Sequence, residues 1–520
     1  MLVKTIQWLK RERSSSRLAL VLQLGSRVGS SGLALVWSRL LQGAMGSSLY
    51  GGYLSFLKLA SLGGLGDLGM GGAVNYRLAQ YLGQGKEREA VRFLASARGL
   101  FLLLGLAMGA GFALGAPILN LGLRFDNVPG LGSTGALFGM AAVAVMVSIF
   151  SSYSANVNYA CGNLVWPVIP GFLLAQMGLA AHWLLARQGF PLWVQYSPYV
   201  LVAIITLLLT RLWVRESHPQ FAAWLPLELD TRTGLALFES SFWVYLCSLG
   251  NKIYTSTDSL LVLKSFGANQ VPMYEFNYRA CELSLFVVTT AAFVAFPKIA
   301  RLLASPTPGD RERAQAEAQK LNQFQSFFGC FAALGYLALN SLFMYVWMGH
   351  AKEPVPAASI LLQTAFAMNL AVTACGDSAI QITGRTGPAG LRMMGMAVGA
   401  TGLLNLGLSL IAAHYQFMAG IAFATVLSQA VLTLITAWYV CRYFRAPLGN
   451  WVARSILAPL VLVGIAGWLR SFLVLNSVGS VAVLVVGYAG ILLVLARIIG
   501  ITPAIIQAEV AMLRAMVKGK

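Results

Sequence analysis

Apolar and polar positions alternate along this chain in long blocks. Cutting at the polar clusters leaves apolar runs at 18–42, 48–76, 93–119, 135–160, 163–186, 192–214, 235–263, 271–300, 321–348, 356–383, 388–412, 417–440, 455–475 and 478–499. Each is near the length of a helix that crosses hydrocarbon, roughly 20 residues. The pattern predicts an all-α polytopic membrane protein of about 14 transmembrane helices. The narrowest cut falls at Cys161, Gly162 and Asn163, with Pro167 close behind; two spans or a re-entrant element both fit there. After Gly500, Ile505, Ile506, Val510, Leu513 and Met516 recur at roughly helical spacing among Glu509, Arg514, Lys518 and Lys520. That arrangement predicts an amphipathic helix on the inner leaflet, a short, partly disordered tail being the alternative.

The basic residues then fix a topology. With the basic segment Met1 to Arg17 read as a retained cytoplasmic tail, 27 of the 37 Lys and Arg residues fall in inward-facing segments. The outward loops hold only Arg124, Arg187, Lys264, Lys352 and Arg470. Such asymmetry is the positive-inside pattern, and it puts both termini on the cytoplasmic side. The inward loop after the sixth run, with Pro219, Pro226, Glu228 and Asp230, suggests a boundary. The expected organisation is a six-helix bundle over 1–214, a linker over 215–234, a second six-helix bundle over 235–445, two additional spans over 446–500 and a tail over 501–520. Weak parallelism supports an internal repeat: charge-bearing runs at 18–42 and 235–263 are each followed by a polar-containing run and a basic inward loop.

Composition narrows the function classes. The 520 residues are 58% hydrophobic and 11% charged, with a mean hydropathy of +0.71, which leaves no room for a soluble domain. The net charge of +19 would suit nucleic-acid binding only if gathered on a water-facing surface; here it lies between apolar runs. Six scattered cysteines and four scattered histidines, His182, His218, His350 and His414, predict neither disulfides nor a metal centre, and packing or surface roles for the imidazoles. Gly64 to Gly69 spells GxGxxG, but a dinucleotide site needs a strand before it and a helix in water after it. The glycines suit close helix approach or a bend in the second span. No Ser-His-Asp arrangement is present, and the longest outward connector, 117–134, is too short to hold a substrate for catalysis. A non-enzyme without a cofactor is expected.

Charged groups inside apolar runs carry the remaining chemistry, because each costs ~2.5–3.5 kcal/mol to centre in a bilayer. Arg27 sits deep in the first run among Ser26, Ser30 and Ser31, where a cavity role competes with snorkelling to the interface; Arg39 is nearer the outer end. The seventh run is the most polar. Ser240, Cys247, Asn251, Tyr254 and Asp258 share one helical face, and Ser241, Ser248, Lys252, Thr255 and Ser259 repeat it one residue later. With Lys252 and Asp258 present, this wide stripe reads as a cavity lining, against hydroxyl-mediated packing. Glu275, Arg279 and Glu282 lie at i, i+4 and i+7 and read as either structural pairing or an outer gate. Asp67 and Asp377 stand at the inner parts of their runs, where Asp67 has Arg77 and Lys86 as candidate partners.

Leu49-Tyr50-Gly51-Gly52-Tyr53, the Gly63–Gly71 stretch with Asp67, Asn75-Tyr76-Arg77-Leu78-Ala79, Thr257-Asp258-Ser259 through Arg279, and Phe296-Pro297-Lys298-Ile299-Ala300 resemble the bacterial polysaccharide exporters. These are lipid-linked oligosaccharide flippases of the multidrug/oligosaccharidyl-lipid/polysaccharide superfamily. The resemblance implies two six-helix bundles around a central cavity, two further helices and alternating access. It implies a bacterial inner-membrane protein that flips undecaprenyl-pyrophosphate-linked oligosaccharide for O-antigen, capsule or exopolysaccharide assembly, with polymerase or assembly proteins as partners. Its cationic residues on the first and seventh helices correspond by helix position to Arg27 and Lys252. Physical reasoning adds Lys58 and Arg279 as cations that would attract a pyrophosphate. Asn251, Tyr254, Thr255 and Ser259 are the expected polar lining. Because no ATP-binding motif is present, coupling to H+ or Na+ is expected through Asp258, Glu275, Glu282 or Asp67. A multidrug exporter, a peptidoglycan-precursor flippase and a membrane polymerase or ligase are the alternatives.

Overall fold

The computed structural model describes residues 16–163, 168–221, 230–276, 309–348, 357–370, 389–444 and 447–461, with isolated positions beyond. Its regular elements are helices: α1 (Ser16–Gly63), α2 (Met70–Gly83), α3 (Glu87–Leu123), α4 (Thr134–Ala160), α5 (Val168–Arg187), α6 (Leu192–Ser217), α7 (Thr231–Phe266), α8 (Asp310–Met348), α9 (Ala357–Leu370), α10 (Ala389–His414), α11 (Met418–Phe444) and α12 (Leu448–Val452). Among the described residues, α3, α4, α6, α10 and α11 are long and apolar enough to cross a membrane. The protein is a multi-pass, all-α membrane protein.

The chain divides into two compact units, 1–272 and 273–520. The first therefore includes α7, whose apolar run begins at residue 235, where the sequence reading starts its second bundle. In this unit α4 is central, packing on α2, α3 and α6, while α7 lies against α1, α2 and α3. Exposed apolar residues crowd α3, where Leu114 is 78% exposed and Leu121 81%. Met70, Leu78, Phe93, Leu94, Phe101, Ile149, Tyr153 and Leu237 form the packed interior at one end. Toward the other end Phe56 meets Phe138 at 5.4 Å and Tyr196 at 5.3 Å, both edge to face, the favoured geometry for aromatic pairs.

Two expected boundaries move. The first two apolar runs are merged in α1, interrupted only at Gly46, whose φ of 75° lies in the left-handed region. The second run stops at Gly63, not at residue 76. Gly64–Asp67 is a 3-10 turn, Leu68 and Gly69 have φ of 51° and 71°, and α2 starts afresh at Met70. A Cβ on Gly66 would stand 2.4 Å from Met108 Cγ and 2.7 Å from Ile149 Cδ1, and one on Gly71 2.5 Å from Asn156 Nδ2. The glycine-rich run thus breaks the span and seats it against α3 and α4. The inward segments 77–92 and 301–320, polar enough to read as loops, are largely helical where described: α2 and α3 enclose a short turn at 84–86, and α8 begins at Asp310. At 39 residues, α8 is roughly 58 Å long, about twice a ~30 Å hydrocarbon core. Its first three turns are polar because they lie beyond the apolar stretch. The connection at 161–163 is a turn, in which Asn163 Nδ2 donates to Asn158 Oδ1 and Ser217 Oγ. The expected tail helix after Gly500 lies outside the described residues.

The interior of the second unit mixes apolar side chains with hydroxyls and amides. Asn369 Nδ2 donates to Gln429 Oε1 at 3.3 Å, Asn405 Nδ2 to Thr425 Oγ1 at 3.0 Å and Asn322 Nδ2 to Ser455 Oγ at 3.3 Å. These bonds join α9 to α11, α10 to α11 and α8 to the π turn at Ala453–Leu457.

The α7 start is capped by Asp230, whose carboxylate accepts from the amides of Arg232 and Thr233 and from Thr233 Oγ1. The Thr233 hydroxyl first, then the Arg232 amide, hold its carboxyl below the usual carboxylate range. A depressed folded value means the cap stabilises above the unfolded pKa near ~4 and weakens as pH falls through the folded one.

The glycines give a direct test. Gly66→Val should destabilise the purified protein by about 1–3 kcal/mol through overpacking, whereas Gly72→Ala, with nothing within 4 Å of its added Cβ, should leave stability unchanged or raised. Thermal unfolding in detergent, compared across the two variants, checks both.

Candidate functional site

The polar stripe of α7 is divided by packing. Asn251 and Thr255 are exposed and Lys252 and Tyr254 half-buried, whereas Ser256, Asp258 and Ser259 face the interior of the unit, Asp258 at 5% exposure. The stripe is thus part accessible and part inter-helix seam. The hydroxyls of Thr255 and Thr257 turn back to their own helix, donating to the carbonyls of Asn251 and Ile253. This is the ordinary way a helical threonine satisfies itself in an apolar setting.

The α1 segment beyond Gly46 lies alongside. Lys58 Nζ donates to the carbonyl of Thr255 at 3.0 Å, and Ser61 Oγ approaches Ser256 Oγ at 3.4 Å. Gly51 permits the approach, since a Cβ there would lie 1.9 Å from the Ala268 carbonyl oxygen. Lys58 and Lys252 are brought close enough for their charges to repel. Two cations from separate helices, beside the exposed Asn251 and Thr255, form a place where an anion is favoured and a cation disfavoured.

The other expected site residues fall elsewhere. Asp67 accepts from the Gly69 amide at 3.0 Å and Ser152 Oγ at 3.1 Å, so it clasps the break after α1 to α4. Its expected partners are otherwise engaged: Arg77 donates to the Ala236 carbonyl and Lys86 pairs with Glu89 at 3.7 Å. Glu275 is buried within the second unit. Arg27 occupies α1 with a side chain outside the described residues, and Arg279, Glu282 and Asp377 also lie outside them.

One cluster escaped the sequence reading. His182 of α5 is fully buried, its Nδ1 2.8 Å from Tyr199 Oη and its Nε2 3.1 Å from Gln195 Oε1. Tyr199 Oη is in turn 2.6 Å from Tyr53 Oη, joining α5, α6 and α1. Because Gln195 Nε2 donates to the Phe190 carbonyl, its oxygen faces the imidazole. Nε2 therefore donates, Nδ1 accepts from Tyr199, and Tyr199 accepts from Tyr53. Isolated histidines in a sequence give no sign of this; the weak signal was that Tyr53, Tyr199 and Gln195 all sit within apolar runs.

Solved structures supply the comparison. The lipid II flippase MurJ, in an inward closed conformation, matches with a TM-score of 0.68 and 14% identity, over 92% of this chain and 98% of MurJ. The fold is that of the MOP-superfamily transporters. An inward-facing MATE family multidrug resistance transporter of that superfamily matches at TM-score 0.58 and 13% identity, over 79% and 95% of the two chains. A MOP-superfamily transporter from Pyrococcus furiosus matches at 0.54 and 13%, over 83% and 95%. No family model and no curated protein matches the sequence. The fold agrees with the architecture that the polysaccharide-exporter resemblance implies.

Tyr199→Phe removes the donor to His182 Nδ1 and should cost about 0.6–1.7 kcal/mol, the range of interhelical hydrogen bonds in membranes. Gln195→Leu should cost a similar amount. Chemical denaturation of the detergent-solubilised protein measures both.

Proposed function

We propose that this protein is a flippase that moves undecaprenyl-pyrophosphate-linked oligosaccharide repeat units from the inner to the outer leaflet of the bacterial inner membrane by alternating access, supplying O-antigen, capsule or exopolysaccharide assembly. The observation that carries this reading is the approach of Lys58 and Lys252 from α1 and α7 within an apolar bundle. Bringing two ammonium groups together is unfavourable, and a pyrophosphate between them reverses the sign of that interaction. Sugars carry hydroxyls that Asn251 and Thr255 can bond, while the polyprenyl tail stays in lipid. Arg27 is assigned to the same anionic head group. Asp258, with Glu275 and Glu282, is assigned to coupling with H+ or Na+, since a carboxylate in a membrane bundle is a natural proton or cation acceptor. Asp67, held by Gly69 and Ser152, is assigned a structural part. Both termini are placed in the cytoplasm by the distribution of basic residues.

The resemblance of the whole chain to MurJ supports a second reading, a flippase for lipid II. It uses the same pyrophosphate chemistry with a different sugar. A multidrug exporter, as in the MATE neighbours, would take cationic drugs, which the two lysines disfavour.

Reconstituted protein separates these. It should flip undecaprenyl-pyrophosphate oligosaccharide in liposomes, and Lys252→Ala or Lys58→Ala should slow flipping roughly 10- to 100-fold, the equivalent of a charged hydrogen bond worth ~1.5–3 kcal/mol. Preference for lipid II would select the MurJ-like reading; drug-driven H+ or Na+ exchange without lipid flipping would refute both. Asp258→Asn should abolish acceleration by an imposed H+ or Na+ gradient while leaving the gradient-free rate.

A further inference from the structure

The fold buries Arg98 and Arg211, at 3% and 8% exposure. They stand on α3 and α6 close enough for their charges to act on each other, with Tyr153 of α4 in contact. Tyr153 donates to the Leu94 carbonyl at 3.2 Å. The Arg211 guanidinium lies 5.6 Å from the centre of the Phe150 ring, a cation–π distance.

Phe150 is also a wall of a different feature. An apolar cavity of about 210 Å³ runs between the same three helices, lined by Phe101, Gly105, Met146, Phe150 and Leu207 among others. Moving one turn along each wall toward the same end of the bundle reaches the basic cluster: from Phe101 to Arg98 on α3, from Phe150 to Tyr153 on α4, and from Leu207 to Arg211 on α6. Chain direction reverses between α3 and α4, and the three steps still converge. That end is the one the positive-inside distribution places at the cytoplasm. Gly105 keeps the groove narrow at its back, since a Cβ there would be 3.2 Å from the Met146 carbonyl oxygen.

We propose that this groove is a binding site for an acidic phospholipid of the inner leaflet, one acyl chain lying against Phe101, Met146 and Leu207 and the phosphate meeting Arg211 and Arg98. An apolar slot with two arginines one helical turn beyond its lining, Arg211 against the Phe150 wall, suits an anionic amphiphile, as do basic pockets between transmembrane helices generally. A zwitterionic lipid brings its own cation to a site that already holds two. The site is separate from the Lys58 and Lys252 pair, and it stands whether or not the protein is a flippase.

Full-length protein in detergent is titrated with phosphatidylglycerol or phosphatidylcholine, reading the thermal midpoint and the lipid retained in native mass spectra. Phosphatidylglycerol should raise the midpoint and stay bound, and phosphatidylcholine should do neither. Arg211→Gln should weaken phosphatidylglycerol about fivefold, which is ~1 kcal/mol. Leu207→Trp, which fills the groove without touching a charge, should weaken it at least as much while leaving the lipid-free midpoint within a few degrees; it keeps the test open if the arginine variant fails to fold. Equal effects of the two lipids, or unchanged phosphatidylglycerol binding by Leu207→Trp, would overturn the site. So would displacement of phosphatidylglycerol by undecaprenyl phosphate, which would make the groove part of a transport route.

Discussion

Helices in a bilayer gain little from hiding apolar side chains, because lipid tails are as apolar as leucine. What holds them is contact distance and directed polar bonds. The first unit shows the first of these at Gly51, Gly66 and Gly71, where a single added carbon would collide with a carbonyl oxygen, Met108 or Asn156. Everything at the candidate site depends on it. Lys58 reaches the Thr255 carbonyl because α1 and the turn after α7 touch at Gly51; Asp67 clasps Ser152 because the chain stops and restarts at Gly64–Gly69. The second unit relies more on directed bonds, through Asn322, Asn369 and Asn405.

Charge in this fold is governed by the same economy of contact. Lys58 is satisfied in part by a main-chain carbonyl, Asp67 by an amide and a hydroxyl, and Arg77 by the Ala236 carbonyl. Main-chain and hydroxyl groups act as partners here, beside the ion pairs of Lys86, Arg313 and Lys320. A carbonyl is a good acceptor for a half-buried cation without adding a second ion to desolvate. Two lysines from separate helices meet at the accessible side of α7, which suits the pair to the proposed anionic cargo.

Much of the fold was legible in the sequence, since run length and hydropathy report directly on a ~30 Å slab. The runs containing α4, α6, α10 and α11 have the expected lengths, and the run at 235–263 lies within α7. The extents of α2 and α8 were not legible, because a polar helix beyond the membrane has the same composition as a loop. Of the site, the polarity of α7 was plain, but its division into an accessible Asn251–Thr255 side and an enclosed Asp258–Ser259 side was not. Periodicity gives the angle of a residue about its own helix and says nothing about which neighbour covers it. Asp67 illustrates the same limit: charge alone suggested Arg77, while the turn geometry at Gly69 delivered an amide. His182 depended on partners from α1 and α6, distances in sequence over which no spacing rule operates.

The Asn405–Thr425 bond joins α10 and α11 across a turn of three residues, 415–417, in which Gln416 takes a φ of 55°. Its consequence belongs to biogenesis. An asparagine amide that leaves the translocation channel toward lipid alone must shed its water without compensation. Here the acceptor lies only 20 residues later in the same chain, so the hairpin can be released with the amide nitrogen already paired. The two helices are then best regarded as one insertion step, and the order in which ribosome and membrane receive them is part of what makes the second unit foldable.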